Sequence, residues 1–239
     1  MVERGLAESR AKAQALVLAG QVWSGERRLD KPGQSIAPDV PLEVRAPAVP
    51  YVSRGGTKLA HGLDHFGIDP AGKVALDVGA STGGFTDVLL QRGAKRVYAV
   101  DVGHGQLDWR LRNDPRVVVL EKVNARHLSR EHVPEPVDLI VCDVSFISLE
   151  LALAAPLALA APAAQLIALI KPQFEVGKGQ VGKGGVVRDP ALHEAVCARI
   201  SRWLEGQGWR VRGVTPSPIT GPKGNREFLI AAGRRADRC

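Results

Sequence analysis

The sequence predicts an α/β protein built on a mostly parallel, seven-stranded, Rossmann-like sheet, preceded by a small α+β domain at the N-terminus. Three observations carry this. Short apolar runs at 74–78, 97–101 and 137–143 have the length and β-branched content of strands buried on both faces. They alternate with stretches of helical character, the order that builds a parallel sheet. The first run leads into Asp77-Val-Gly79-Ala-Ser-Thr-Gly83-Gly84-Phe85, a glycine-rich passage from strand to helix.

At the front, residues 6–19 read as an amphipathic helix with Ser9 as candidate cap and Gly20 as its stop. Gln21-Val-Trp23, a turn at Ser24-Gly25, and short strands containing Ile36 and Leu42-Glu-Val44 follow. Prolines 32, 38, 41, 47 and 50 break this region into pieces. The expected division is a small domain over 1–46, a linker over 47–52 and a main domain over 53–239.

The string Ser53-Arg54-Gly55-Gly56-Thr57-Lys58-Leu59 opens a helix ahead of the first core strand. Lys58 falls where the helix dipole disfavours a cation, so a task there would explain its position. After the strand, glycines at 79, 83 and 84 allow close approach of a ligand to backbone N–H groups at a helix start. Asp77 would stand beside that ligand, and Asp101, one strand later, where a ribose diol is held in such sheets.

The spacing excludes two common cofactor loops. Ser81 breaks the dinucleotide pattern G-x-G-x-x-G, and Phe85 occupies the lysine position of a phosphate loop. A D-x-G-x-x-x-G-G loop without that lysine suits S-adenosylmethionine. Its charged amino-acid end would meet the backbone of Gly79, Ala80, Ser81, Thr82, Gly83, Gly84 and Phe85, and Asp101 its ribose.

Further on, a helix ending at Asn113 precedes a third strand at 117–120, and Asn124 is placed to contact an adenine edge. The fourth strand ends at Asp143, a helix over 149–161 follows, and a fifth strand at 166–170 ends at Lys171. Residues 176–185 form a loop of glycine and lysine in which Gly184 spoils a second phosphate-loop pattern. It lacks apolar anchors and reads as a mobile substrate loop. A helix from 190 to 207, a strand at 209–215, a turn at 217–224 and a strand at 225–231 complete the core. The close final pair points to one antiparallel strand. Residues 233–239 are basic and expected to fray.

A chain of 239 residues, 45% hydrophobic, buries a full core and leaves room for a small appendage. Its net charge of +7 is concentrated after residue 170 and favours an anionic partner. Cys142, Cys197 and Cys239 lack metal spacing, so no metal site and a reducing, cytoplasmic setting are expected. The N-terminus has no apolar segment of signal-peptide kind. Residues 151–170 are uncharged for the length of a membrane span, but Pro156, Pro162 and Gln165 interrupt them. A buried helix followed by a strand explains them, with no membrane association.

In an open α/β sheet the ligand lies beyond the carboxyl ends of the strands. Asp143 and Lys171 end two of them, Glu227 opens the antiparallel one, and Lys58 precedes the first, so these four converge. A self-satisfied ion-pair cluster is one account of them. Methyl transfer to a ribose hydroxyl is the other. That hydroxyl needs a positioned base, and a lysine serves when a second cation and desolvation disfavour its charge.

These residues resemble the K-D-K-E set of FtsJ-like RNA ribose 2'-O-methyltransferases, whose domain is a class I methyltransferase fold. The strings S-R-G-G-x-K-L, D-V-G-A-S-T-G-G-F-T, D-V-G-x-G-Q-L, D-V-S-F-I-S-L, K-P-Q-F-E-V-G-K and G-N-R-E-F are similar to those of the TlyA family, which also carries the name haemolysin A. The resemblance implies 2'-O-methylation of cytidine in ribosomal RNA or ribosomal subunits, on 23S and in some members also 16S rRNA; a monomer is expected. It implies Lys171 as the base, with Lys58, Asp143 and Glu227 arranging it and the ribose, and Phe146 holding the cofactor or a flipped base. The front of the chain resembles an S4 RNA-binding domain that starts late. Arg4, Arg10, Lys12, Arg27 and Arg28 would serve as its RNA surface, with Arg54, Lys178 and Lys183 adding contacts from the main domain. The short front leans towards members with 23S rRNA as sole target. An RNA-binding or haemolysin-like protein without methyltransferase activity is the alternative.

Overall fold

The structure, a computed structural model, describes residues 1–18, 21–29, 31–34, 36–37, 39–44 and 50–234. Gly20, residues 45–49 around the expected linker, the tail 235–239, and the side chains of Lys12, Arg28 and Lys178 lie outside the described residues. The chain falls into two compact units, Met1–Pro50 and Tyr51–Cys239.

In the first unit, α1 (Arg10–Leu18) is followed by β1 (Val22–Ser24), β2 (Arg27–Arg28) and β3 (Glu43–Val44). The strands form an antiparallel sheet in the order β2-β1-β3. The helix starts four residues later than its sequence suggests. Turns closed by Gly5 N–H to Val2 O and Leu6 N–H to Met1 O precede it, and the Ser9 carbonyl accepts the Ala13 N–H at 2.9 Å. Ile36 lies in no strand. It packs with Met1, Leu16 and Leu42 around Val17, Val22 and Leu29, a core of few side chains.

The second unit is organised by seven strands: β4 (Val74–Val78), β5 (Arg96–Asp101), β6 (Val117–Glu121), β7 (Val137–Cys142), β8 (Ala160–Ile170), β9 (Trp209–Pro216) and β10 (Phe228–Arg234). Their order across the sheet is β6-β5-β4-β7-β8-β10-β9. The pairs from β6 to β8 are parallel, and β10 runs antiparallel to both β8 and β9. Two short helices, α4 (Trp109–Arg112) and α6 (Pro172–Glu175), lie in connections, and alternate strand residues feed two cores. Leu76, Val78, Val100, Ile140 and Cys142 face α5 (Leu149–Ala158) and α7 (Pro190–Gly206), where Leu153, Leu157, Ile200 and Leu204 meet them. Ala75, Ala99, Val141, Ile167 and Leu169 face α2 (Gly55–Phe66) and α3 (Gly84–Gln91), through Leu59, Leu63, Val88 and Leu89. Both faces are covered, which is why these strands read as continuous apolar runs.

Helix ends follow local chemistry. Gly67 closes α2 in the left-handed region at φ 59°, and Asp189 caps α7 by accepting the Ala191 N–H with Pro190 at the first position. Two boundaries depart from expectation. α5 ends at Ala158, and β8 begins at Ala160, six residues before the expected start. The register shift between Val137 and Leu139 lets β8 run past its partner, and Pro162 is exposed in that irregular stretch. At the end, Gly233 and Arg234 do not fray: they pair with Arg210 and Trp209, and Arg234 donates to the Ala160 carbonyl.

Candidate active site

The carboxyl edge of the sheet carries two adjoining cavities of about 520 and 470 Å³. Both fall in the usual size range for small-ligand sites, roughly 300–1,000 Å³. Gly79, Ser81, Asp143 and Ser145 line both, so they mark the junction. The larger cavity adds Arg54, Lys58, Ala80, Thr82, Gly84, Phe85, Lys171 and Glu227. The smaller adds Asp101, Gln106, Asn124 and Phe146.

The four converging charges form two close pairs. Lys58 Nζ donates to Glu227 Oε2 at 2.6 Å, and the Glu227 side chain is wholly buried. Lys171 Nζ stands 2.6 Å from Asp143 Oδ1 and donates to Ser145 Oγ at 2.9 Å. The Lys171–Asp143 contact is close but poorly aligned, leaving Asp143 Oδ1 without a proper hydrogen bond. Gln173 Nε2 reaches Glu227 Oε1 at 3.5 Å. Gly221 has to be glycine beside Glu227, because a Cβ there would lie 2.1 Å from Oε1.

The glycine loop makes the floor of the junction. Gly79, at φ 85°, lies so close to the Asp143 carbonyl that a Cβ would come within 2.8 Å. Gly83, at φ 99°, starts α3 without a side-chain cap. Asp77 lies beneath this loop and lines neither cavity. It is fully buried, accepts the Thr86 hydroxyl at 2.6 Å through Oδ2, and has no partner at Oδ1. Burial pushes its carboxyl up to about 7 against the lowering effect of the Thr86 bond, and the nearby Asp143 charge adds to the rise.

Asp101 accepts Ser81 N–H at 2.8 Å and Gly103 N–H at 2.7 Å, which fixes the carboxylate while leaving lone pairs for hydroxyl donors. Asn124 Oδ1 takes the Arg126 N–H, so its amide NH₂ is the group available to a ligand. Phe146 is 90% exposed, its ring is 4.8 Å from that of Phe174, and its backbone sits at φ 66°. A non-glycine residue held there stores on the order of 1–3 kcal/mol of strain, a feature that clusters at ligand sites. A glycine cradle, a fixed ribose-type acceptor and an adenine-edge amide fit a phosphate-free nucleoside ligand such as S-adenosylmethionine.

Of the cationic positions read from the sequence, Arg10, Arg27, Arg54 and Lys183 are exposed, and Arg4 donates to the Val40 carbonyl at 2.6 Å. The 176–185 loop is anchored, contrary to expectation. Gly182 N–H bonds the Val186 carbonyl, and Asn225 donates to the Gly185 and Pro222 carbonyls while accepting the Val187 N–H. Val186 and Val187 are buried, and His193 Nε2 contacts the Val187 carbonyl at 2.9 Å. Two further features escaped the sequence. Ser145 was one polar residue among many in a loop. Glu175 and Arg199 form a 2.7 Å pair that also binds Leu149 N–H, tying the segment after Lys171 to the start of α5. Among the described residues no cluster of three or more metal-ligating side chains occurs.

Comparison with known proteins agrees with this geometry. A family model described as FtsJ-like methyltransferase matches residues 51–234. The 16S/23S rRNA (cytidine-2'-O)-methyltransferase TlyA of Mycobacterium tuberculosis is 48% identical over 239 residues, covering 100% of this chain and 89% of that protein. Hemolysin A of Brachyspira hyodysenteriae is 42% identical over 226 residues, 94% of each chain. A solved structure from Streptococcus thermophilus that carries a hemolysin label superimposes with a TM-score of 0.81 at 42% identity, covering 98% of this chain and 86% of that one.

Proposed function

This chain belongs to the FtsJ-like methyltransferase family, and on that footing we propose that it methylates the ribose 2'-hydroxyl of a cytidine in ribosomal RNA. It is a methyltransferase with S-adenosylmethionine as cofactor. The observation that carries the reading is the junction: Lys171 Nζ, 2.6 Å from Asp143 Oδ1, stands where a cofactor-sized cavity meets a polar one.

Bound in the smaller cavity, S-adenosylmethionine supplies a methyl carbon made electrophilic by its positive sulfur. The residues around it have assigned tasks in this reading. Gly79, Ser81 and Asp101 hold the cofactor, with Asn124 at its adenine, while Ala80, Thr82, Gly84 and Phe85 carry the same loop on into the larger cavity. The larger cavity takes the nucleotide, whose sugar lies between the Lys58–Glu227 pair and Lys171. Lys171 accepts the hydroxyl proton as the oxygen attacks. Lys58 and Glu227 orient the ribose, and alignment of the attacking oxygen accounts for much of the acceleration. Phe146, exposed beside the cavity, offers a ring face to an unstacked base.

The first unit, with Arg4, Arg10 and Arg27, would supply an S4-like hold on the RNA, joined by Arg54 and Lys183. The hemolysin names belong to the relatives that bear them. Among the described residues no helix is long and apolar enough to cross a membrane.

The test is to map ribose methylation on rRNA after incubating ribosomal subunits with protein and S-adenosylmethionine. A new 2'-O-methylcytidine in 23S rRNA, alone or with one in 16S rRNA, is the expected result. Lys171→Ala should abolish it while leaving S-adenosylhomocysteine affinity within about twofold. Turnover retained in that variant would overturn the assignment of the base.

A further inference from the structure

Lys171 is held at two points, and only one of them is a charge. Its Nζ contacts Asp143 Oδ1 at 2.6 Å and Ser145 Oγ at 2.9 Å. Ser145 is exposed, lies in the irregular segment between β7 and α5, and lines both cavities. Its side-chain hydrogen bond to Lys171 is the one it makes among the described residues. An exposed serine so placed adds nothing to the apolar core, and the bond it makes goes to a buried amine at the site.

A neutral lysine amine carries two N–H groups and one lone pair, arranged tetrahedrally about nitrogen. An acceptor off the Cε–Nζ axis fixes one N–H and leaves the lone pair two remaining positions. A carboxylate oxygen near one of those positions repels the lone pair even without an aligned hydrogen bond, which leaves it the other. The geometry points to Ser145 as a positioning residue: it takes one N–H of the neutral Lys171 amine in the hydrogen bond that Asp143 Oδ1, close but misaligned, does not make, and so aims the lone pair at the hydroxyl to be methylated. This rests on the reading of Lys171 as the base.

The step balances as follows. The hydroxyl proton moves to Nζ, giving an ammonium, while the oxygen forms a bond to the methyl carbon. The carbon–sulfur bond breaks, and its electron pair neutralises the sulfur of the departing S-adenosylhomocysteine. Lys171 then returns its proton to solvent. Ser145 contributes before the proton moves, by lowering the number of amine orientations from which transfer has to be found. Asp143 neutralises the ammonium afterwards. The other charged groups facing this cavity are Lys58 and Glu227, paired with each other, and Arg54; none of them makes a hydrogen bond or ion pair with Nζ among the described residues.

The experiment compares the full chain with Ser145→Ala and Ser145→Thr on ribosomal subunits. In Ser145→Ala kcat should fall about 10- to 100-fold, with KM for the RNA, S-adenosylhomocysteine affinity and melting temperature unchanged. Ser145→Thr, which keeps the hydroxyl, should recover most of the rate. Wild-type kcat in Ser145→Ala, or a loss confined to KM, overturns the inference. So does a threonine variant that folds and binds cofactor but is as slow as alanine. The underlying reading fails separately, if the unaltered protein leaves the rRNA unmethylated or if Lys171→Ala retains turnover.

Discussion

Lys58 and Glu227 are 169 residues apart in the chain and 2.6 Å apart at Nζ and Oε2. The pair joins the first helix of the second unit to the residue before its last strand, with the glutamate wholly buried. Removing one partner of such a pair strands a buried charge and costs about 3–5 kcal/mol, whereas replacing both with apolar side chains is often neutral. Lys58→Met alone should therefore lower stability by about that amount in urea unfolding. The double variant Lys58→Met/Glu227→Leu should recover most of it, and both should be inactive. A double variant as unstable as the single one would contradict this account of the pair.

Gly221 tests whether the position of Glu227 matters apart from its charge. A methyl group at 221 would lie 2.1 Å from Oε1, and the buried carboxylate, already bound to Lys58, has little room to retreat. Gly221→Ala should cost about 1–3 kcal/mol by overpacking and reduce the methylation rate more than RNA affinity. Calorimetry and steady-state kinetics measure the two effects independently.

Asp77 makes stability depend on pH in an unusual direction for a carboxyl. Its folded value of about 7 lies above its unfolded value of about 3.9, so the folded state binds the proton more tightly. The stability it contributes is full below about pH 4 and is lost as pH rises through about 7. For a shift of this size the loss is on the order of 4 kcal/mol. Asp77→Asn keeps an acceptor for the Thr86 hydroxyl and removes the titration. The cofactor-free variant should be more stable than the unaltered chain at pH 8 and show a flatter profile between pH 4 and 7. Identical profiles would show that Asp77 is not the group titrating.

Asn225 holds the 182–187 loop through the Gly185 carbonyl and the Val187 N–H, also donates to the Pro222 carbonyl, and is itself 4% exposed. Asn225→Ala leaves those backbone groups to find water, at a cost of about 2–4 kcal/mol. Trypsin should then cleave at Lys183 faster by at least the corresponding opening factor, while S-adenosylhomocysteine binding is unchanged. Unaltered cleavage would mean that the loop is held by its buried valines alone.

Much of this site could be read from the chain because its parts are local. Asp77, expected beside the ligand, lies beneath the loop on Thr86, but Gly79, Gly84 and Asp101 sit at fixed offsets from strand ends, and Asp143, Lys171 and Glu227 do the same. Strand periodicity therefore placed them without any knowledge of packing. What could not be read depends on partners far away in sequence. Asn225 anchors a loop forty residues earlier, and nothing in Val176–Gly185 signals that its hold comes from outside. Ser145 gains its meaning from an amine that arrives on the next strand. The 160–165 stretch is rich in alanine, whose small side chain gives neither period a clear signal, so the expected helix overruns the strand's start by two residues and the expected strand begins six residues late.

The antiparallel β10 has a consequence for how the protein comes into being. In the sheet, β9 pairs with β10 and with no other strand, and the outer flank of β8 is likewise satisfied by β10. During synthesis from the N-terminus, β9 emerges first and must wait, with its hydrogen-bonding groups and the edge of β8 both open. When β10 arrives it closes both gaps at once and carries Glu227 to Lys58. Until then the chain is a scaffold with two exposed edges, prone to pair with its neighbours. Competence for chemistry and resistance to aggregation thus arrive together, with β10.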